Sequence, residues 1–158
     1  MLLFFLLTAG AILLDQITKL LALRYLAPMD TFPLWKDVLH LTYVENTGAA
    51  FGMLKDQRWV FLVISTVALG GMIAYIALTK AKHPLEITSV AFIVGGGIGN
   101  MIDRISRGFV VDFVDVRCIP FWKYVFNVAD IFVCVGCGLF ILYVLLYETR
   151  AKKAEDAA

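Results

Sequence analysis

Ionisable and amide side chains are concentrated in one stretch of this sequence, between Gly95 and Asp130, where two strongly apolar segments flank a short polar one. The side chains there that could take part in chemistry are Asn100, Asp103, Arg104, Arg107, Asp112, Asp115, Asn127 and Asp130. A charge at membrane depth is costly, so a charged residue beside a hydrocarbon-length apolar run indicates a functional site. We predict that Asp112 and Asp130 face each other there and carry out acid–base chemistry.

Two aspartates held close together in a partly desolvated site suit one kind of chemistry. Because the two cannot both ionise, the pair holds one shared proton. The ionised member can take a proton from water while its protonated partner gives one to a leaving nitrogen, and these are the two halves of amide hydrolysis. The two carboxyl groups titrate as a unit, so the sequence does not assign which one is the base.

The local patterns limit which aspartates can take part. Apolar and polar residues alternate over Phe109 to Val116, which predicts a strand with Asp112 and Asp115 on opposite faces and in different roles. Asp130 follows Asn127 by three residues, so both lie on one face in the first turns of the last apolar segment. A helix dipole alone also favours an acid at that position, and this is the simpler interpretation of Asp130.

The third apolar segment carries a polar stripe. Gly96, Asn100 and Arg104 are spaced i, i+4 and i+8, so they share one face of a predicted helix. We expect Asn100, with Asn46 and Asn127, to orient a substrate or to hydrogen-bond the carboxylates. Arg104 is expected to support the site electrostatically.

Asp15 and Lys19 form a candidate ion pair in the first apolar segment. Their spacing of four residues places them on one face of a helix, where opposite charges can pair. Two interpretations remain open. The pair either neutralises itself and merely tolerates burial, or it lies at the rim of a polar site and holds other groups in place.

The composition predicts an integral membrane protein. Hydrophobic residues make up 61% of the 158 residues and the mean hydropathy is +0.83, above the apolar share of a soluble chain. The length of 158 residues predicts a single domain, residues 1–158. Runs of spanning length predict that it is mainly α-helical, with a small β element. We expect a four-transmembrane-helix bundle with a β-like platform at residues 27–57 and spans at about residues 2–26, 59–79, 86–105 and 126–147.

Several other classes of function are disfavoured. A net charge of +1 without a basic stripe argues against nucleic-acid binding. The sequence contains no H-E-x-x-H motif or Walker loop, and His40 has no Cys or His at ligand spacing, so neither a metal nor a cofactor is expected. Cys134 and Cys137 form a C-x-x-C, but it lies in an uncharged run, where we predict that both residues are buried in helix packing.

The orientation in the membrane does not follow from charge. Four spans place both termini on one side, with the platform and the 105–125 loop together on the other. The termini side carries five basic residues, namely Lys80, Lys82, Arg150, Lys152 and Lys153. The platform side carries eight, namely Arg24, Lys36, Lys55, Arg58, Arg104, Arg107, Arg117 and Lys123. A raw positive-inside count would put the platform in the cytoplasm, but several of these arginines border spans or belong to the predicted site.

The chain resembles the bacterial lipoprotein signal peptidases (signal peptidase II). The resemblance is carried by four ordered motifs, which are DQITK, ENTGAAFG, GNMIDR-x3-GFVVDF and FNVAD. It implies that Asp112 and Asp130 are the catalytic dyad of an aspartyl endopeptidase. It also implies a set of supporting or substrate-binding positions, which are Asp15, Lys19, Asn46, Gly96, Asn100, Arg104, Asn127 and Ala129.

The same resemblance implies a multi-pass protein of the bacterial cytoplasmic (inner) membrane, with cytoplasmic termini, an extracytoplasmic platform and a site near the outer leaflet. The implied substrate is a prolipoprotein whose cysteine already bears diacylglycerol, cut just before that cysteine. The partners would be these lipid-modified signal peptides and membrane lipids, with no nucleic acid.

Two other interpretations remain open from the residues alone. One is a proton-coupled transporter or channel that uses Asp15, Asp112 and Asp130 as a relay. The other is a membrane scaffold whose carboxylates only pair with Lys19 and Arg104.

Overall fold

The computed structural model describes residues 1–48, 57–119 and 124–148 of the chain. Within these ranges four helical segments are long and apolar enough to cross a membrane, and they are Leu2–Met29, Arg58–Thr79, Pro84–Ser106 and Val128–Tyr147. The predicted mainly α-helical membrane bundle with a small β element is confirmed. Part of the predicted platform, including the end of the ENTGAAFG motif, lies outside the described residues.

The four helices carry the labels α1 to α4. Helix α1 is Leu2–Leu21 and continues through a π-helical turn, Ala22–Leu26, and a 3-10 turn, Ala27–Met29. The other three are α2 (Arg58–Thr79), α3 (Pro84–Ser106) and α4 (Val128–Tyr143). Helix α4 continues as a π-helical turn at Val144–Glu148.

Side chains fix where the last two helices begin. Pro84 occupies the first position of α3, where the missing N–H is not needed, and Nδ1 of His83 accepts a 3.2 Å hydrogen bond from the Leu85 N–H. At α4, Oδ1 of Asn127 accepts from the Asp130 N–H at 3.0 Å, and Oδ2 of Asp130 accepts from the Asn127 N–H at 3.2 Å. This reciprocal capping box holds Asp130 rigidly in the first turn of the helix.

Helix α3 lies at the centre of the bundle. Of the most apolar stretch of α3, 56% is buried within the protein, whereas the figure for α4 is 11%, because the outer surface of α4 faces the membrane. Two glycines allow α3 and α4 to pack closely. A Cβ on Gly96 would overlap the Ala129 carbonyl oxygen, and a Cβ on Gly136 would lie 2.7 Å from the Ser89 carbonyl oxygen. Small residues at such contacts let the backbones of membrane helices approach each other.

A four-stranded antiparallel sheet lies at one end of the bundle. Its strands pair in the order β1 (Thr31–Trp35), β2 (Leu39–Asn46), β3 (Val110–Val116) and β4 (Val125–Phe126). The first two strands come from the connection after α1, and the last two come from the connection between α3 and α4. The predicted β-like platform is therefore present, and both connections lie at the same end as expected, but their pairing into one sheet was not predicted.

The turn of the first hairpin is short. Strands β1 and β2 are joined by residues 36–38, where Asp37 has a φ of 59°. Asn46 ends β2, and its Oδ1 accepts from the Gly48 N–H at 3.0 Å. This hydrogen bond turns the chain where it leaves the sheet.

The register of the sheet brings the start of α4 next to β3. Val114 pairs with Phe126 in β4, and Asn127 follows immediately. Gly108 allows the sharp turn from α3 into β3 through a φ of +88°, a conformation that residues with a side chain rarely adopt. As a result, the ends of α3, β3 and α4 meet at one place.

The prediction for the cysteine pair was wrong. Cys134 and Cys137 are both exposed on the outer surface of α4, not buried between helices. In a membrane this surface contacts hydrocarbon, so an apolar thiol gains little by facing inward.

Candidate active site

Asp112 and Asp130 are joined by a network of asparagine side chains. Nδ2 of Asn127 donates to Oδ1 of Asp112 at 2.6 Å and lies 3.2 Å from Oδ1 of Asn100. Nδ2 of Asn100 in turn donates to Oδ1 of Asp130 at 2.8 Å. The amides of Asn127 and Asn100 therefore link the carboxyl group of Asp112, on β3, to that of Asp130, on α4.

The environments of the two carboxyl groups differ. Asp112 is 2% exposed, and its second oxygen accepts a 2.8 Å hydrogen bond from Nδ2 of Asn46 at the end of β2. Asp130 is only partly buried, and its second oxygen is taken by the capping box of α4. One member of the pair is thus enclosed by the sheet, while the other lies on the more open side of the site.

Burial raises the pKa of Asp112 to about 7. The hydrogen bonds from Asn46 and Asn127 favour the charged form and oppose this rise, whereas the nearby Asp130 carboxyl adds to it. Asp112 therefore readily holds a proton near neutral pH. Such a group can donate a proton to a leaving atom.

Asp15 and Lys19 form an ion pair that is fully buried and not isolated. Nζ of Lys19 lies 2.9 Å from Asp15 and 3.3 Å from Asp103, and it donates to Oδ1 of Asn100 at 2.9 Å. The three donors of the ammonium group thus have three acceptors. Since Asn100 also binds Asp130, the pair is connected to the candidate dyad, as expected for a pair that holds other groups in place.

Ala129 joins this cluster through its backbone. Its N–H donates to Oδ1 of Asp15 at 2.9 Å, which ties α1 to the start of α4. The residue is fully buried, and its carbonyl oxygen lies where a side chain at Gly96 would project. Ala129 and Gly96 are therefore positions where close backbone packing, not side-chain chemistry, determines the residue.

Arg104 connects three parts of the fold but binds neither carboxyl group of the candidate dyad. Its Nη2 donates to the Gly48 carbonyl at 3.3 Å, and its guanidinium carbon lies 4.8 Å from the ring centroid of Phe61 in α2. Among the described residues, neither Asp112 nor Asp130 forms an ion pair within 4 Å. The scaffold interpretation required that pairing with Lys19 or Arg104, so the geometry disfavours it.

Asp103, Gln16 and Arg107 were not assigned roles from the sequence. Oδ2 of Asp103 accepts a 3.0 Å hydrogen bond from the Val111 N–H, one residue before Asp112. Its other oxygen accepts from Arg107 and from Nε2 of Gln16, the latter at 3.3 Å. Asp103 thus attaches strand β3 to helices α1 and α3, and its spacing of four from both Arg107 and Gly99 was a weak signal in the sequence.

Asp115 lies apart from this network. Its carboxylate accepts from Oγ1 of Thr42 at 2.7 Å and from Nε of Arg117 at 2.8 Å. Partial burial would raise the pKa of Asp115, but these two hydrogen bonds and the arginine charge outweigh it and hold the pKa below its usual value. The alternation of β3 therefore separates a buried, proton-holding aspartate from an ionised, structural one.

The described residues contain no group of three His, Cys, Asp or Glu side chains that could hold a metal ion.

A sequence profile of the signal peptidase (SPase) II family matches residues 7–146. The chain belongs to the signal peptidase II family. It is thus an aspartic-type membrane peptidase, and the family resemblance predicted from the four motifs is confirmed.

Relatives of the family agree over nearly the full length. The chain is 42% identical over 139 residues to a lipoprotein signal peptidase of Clostridioides difficile (strain 630), covering 88% of this chain and 92% of that protein. It is 44% identical over 147 residues to a lipoprotein signal peptidase of Halalkalibacterium halodurans, covering 92% and 94%.

A solved structure shares the fold. A bacterial membrane enzyme determined by the in meso method at 1.9 Å resolution superposes with a TM-score of 0.81 at 28% identity, over 91% of this chain and 93% of that one.

Proposed function

We propose that this protein removes the signal peptide from diacylglyceryl-modified prolipoproteins in the bacterial cytoplasmic membrane. The cut falls just before the lipidated cysteine, and Asp112 and Asp130 are the catalytic residues. Membership of the signal peptidase II family and the names of the relatives support the substrate class. The observation that carries the mechanism is the link between the two carboxyl groups through Asn127 and Asn100.

The different environments of Asp112 and Asp130 support different roles for the two carboxyl groups. Asp130, on the more open side of the site, takes a proton from a water molecule whose oxygen attacks the scissile carbonyl carbon. Asp112, which holds its proton near neutral pH, gives that proton to the leaving nitrogen as the C–N bond breaks. The proton taken from water then remains on the pair, which returns to its starting state by proton exchange with solvent.

The remaining polar residues position these two. Asn46 and Asn127 orient the Asp112 carboxyl group, and Asn100 orients that of Asp130. Lys19 and Asp15 hold Asn100 and Ala129 from the neighbouring helix. Arg104 attaches the site to the backbone carbonyl of Gly48.

The site lies at the sheet end of the bundle. We propose that this end faces the outer leaflet, with the chain termini in the cytoplasm. A site between helices at the membrane surface can receive the acyl chains of a lipidated substrate along apolar walls while its peptide reaches the sheet. A transporter would need polar groups across the bilayer, whereas this network of charges is gathered at one end.

The direct test uses purified full-length protein and a diacylglyceryl-modified prolipoprotein, with the unmodified precursor as the matched control. We expect cleavage of the modified precursor alone, and mass spectrometry should place the lipidated cysteine at the new N-terminus. Cleavage at another bond, or equal cleavage of the unmodified precursor, would refute the proposed specificity. A proton flux into liposomes that depends on Asp112, without any proteolysis, would instead support the transporter.

A further inference from the structure

A concave surface lies between the end of the first span and the sheet. It is a groove of about 410 Å³. The helix supplies one wall and the three longer strands supply the other, with contributions from Leu21, Ala22, Tyr25, Phe32, Leu41 and Phe113. Phe113 follows Asp112 in β3, and successive side chains of a strand point to opposite faces. The groove is therefore separated from the candidate active site by the strand itself.

The walls of the groove are almost entirely apolar. The hydroxyl of Thr18, which lines it, already donates to the Leu14 and Asp15 carbonyl oxygens at 3.0 and 2.8 Å. A buried water needs two to four polar partners, and an apolar cavity stays dry. An empty groove of this size would also forfeit dispersion contacts along its lining.

The groove is continuous with the lipid-facing surface of the first span. Ile17, Leu20 and Leu21 are 45%, 55% and 51% exposed, so an apolar surface leads directly to the groove. In a bilayer the medium against that surface is acyl chain. The same medium can extend into the groove without crossing a polar barrier.

The rim of the groove carries a cation. The guanidinium carbon of Arg24 lies 5.3 Å from the ring centroid of Tyr25, a lining residue, and the Arg24 side chain is exposed. Arginine and tyrosine at the end of a span belong to the headgroup level, where a guanidinium binds phosphate oxygens well. Asp30 is also exposed near this end, so the rim suits a singly charged phosphodiester attached to an apolar chain better than a free anion.

We propose that the groove binds one membrane phospholipid, with an acyl chain between α1 and the sheet and its phosphate at Arg24. The bound chain packs against β3 from the side opposite Asp112. It therefore supports the strand that carries this residue without taking part in chemistry.

The test uses full-length protein in nanodiscs that contain phosphatidylglycerol with a diazirine on one acyl chain. After photolysis, mass spectrometry locates the labelled residues. We expect labels on the groove residues, with Leu21→Trp, which fills the groove, lowering their yield about tenfold. Leu20→Trp is the matched control, because this neighbour has similar exposure and does not line the groove, and it should label like the wild type.

A second variant tests the phosphate. Arg24→Gln should lower the apparent affinity of the groove for the labelled phosphatidylglycerol about tenfold, as expected for the loss of one charge-assisted hydrogen bond. Arg58→Gln is its control, since that guanidinium lies over Trp59 at a similar distance of 4.9 Å, at the start of a different span. The control should leave groove labelling unchanged.

Three results would overturn the proposal. One is equal groove labelling in wild type and Leu21→Trp, and another is labelling spread evenly over lipid-facing residues such as Val67. The third is a diacylglyceryl lipopeptide with the same probe that labels the groove when phosphatidylglycerol does not, which would assign the groove to the substrate.

Discussion

Removing the ammonium group of Lys19 should severely destabilise the protein. Lys19, Asp15 and Asp103 are all fully buried, and Arg107 supplies the second positive charge of the cluster. The four charges sum to zero, so Lys19→Met leaves one uncompensated negative charge among buried groups. Breaking a buried ion pair in this way costs about 3–5 kcal/mol, far more than the loss of an exposed pair.

A double variant separates charge balance from the loss of the side chain. Lys19→Met combined with Asp15→Asn restores a net charge of zero, and the asparagine oxygen can still accept from the Ala129 N–H. We therefore expect the double variant to regain more than half of the lost stability. Its kcat should remain about tenfold low, because Asn100 has lost the Lys19 donor that helps to orient it toward Asp130.

The purified protein is unfolded in mixed micelles, and circular dichroism monitors the unfolding. Cleavage rates are measured in parallel. Arg117→Met is the matched control, because Arg117 pairs with Asp115 at the surface and its side chain is 42% exposed. It should cost no more than about 1 kcal/mol. Additive losses in the double variant, or a Lys19→Met protein as stable as the wild type, would refute this account of the cluster.

Three other predictions concern the pH dependence and the helix packing. The cleavage rate should decline as the pH rises through about 7, because Asp112 then loses the proton it donates. Asn46→Ala should move this decline to higher pH, because it removes a hydrogen bond that favours the ionised form of Asp112. A pH–rate profile that is the same in Asn46→Ala and in the wild type would contradict this. Folding raises the pKa of Asp112, so the contribution of this residue to stability is present below about pH 4 and is lost as the pH rises through about 7. Between these limits Asp112→Asn should gain stability relative to the wild type, by about 1.4 kcal/mol per unit of the pKa difference. Thermal melts at pH 5 and pH 8 that show no such trend would contradict this prediction. Gly96→Ala should reduce both stability and cleavage, because its Cβ would overlap the Ala129 carbonyl, whereas Gly70→Ala, which meets nothing within 4 Å, should melt at or slightly above the wild-type temperature.

Much of the bundle and of the polar network could be predicted from local patterns. Spanning-length apolar runs specify the helices, and a spacing of four specifies the Asp15–Lys19 pair. Strand alternation correctly separated Asp112 from Asp115, because a period of two leaves no freedom in which face a residue takes.

The features that could not be predicted depend on contacts distant in sequence. Pairing of β2 with β3 joins segments more than 60 residues apart, and nothing local to either strand specifies the partner. Asp103 accepts a hydrogen bond from the Val111 backbone N–H, a donor that every residue except proline possesses, so no sequence pattern predicts this contact. The cysteine prediction failed because rules for burial in water do not apply to a surface that faces lipid.

The central claim is that Asp112 and Asp130 act together in one hydrolytic step. It is tested most directly by single-turnover cleavage of a diacylglyceryl-modified prolipoprotein by Asp112→Asn, Asp130→Asn and Asp115→Asn, each shown to be folded. We predict that the first two variants lose about 10²–10⁴-fold in rate, as expected for the loss of a general acid or base, while Asp115→Asn cleaves at nearly the wild-type rate. A folded Asp112→Asn or Asp130→Asn protein that cleaves at the wild-type rate would contradict the account.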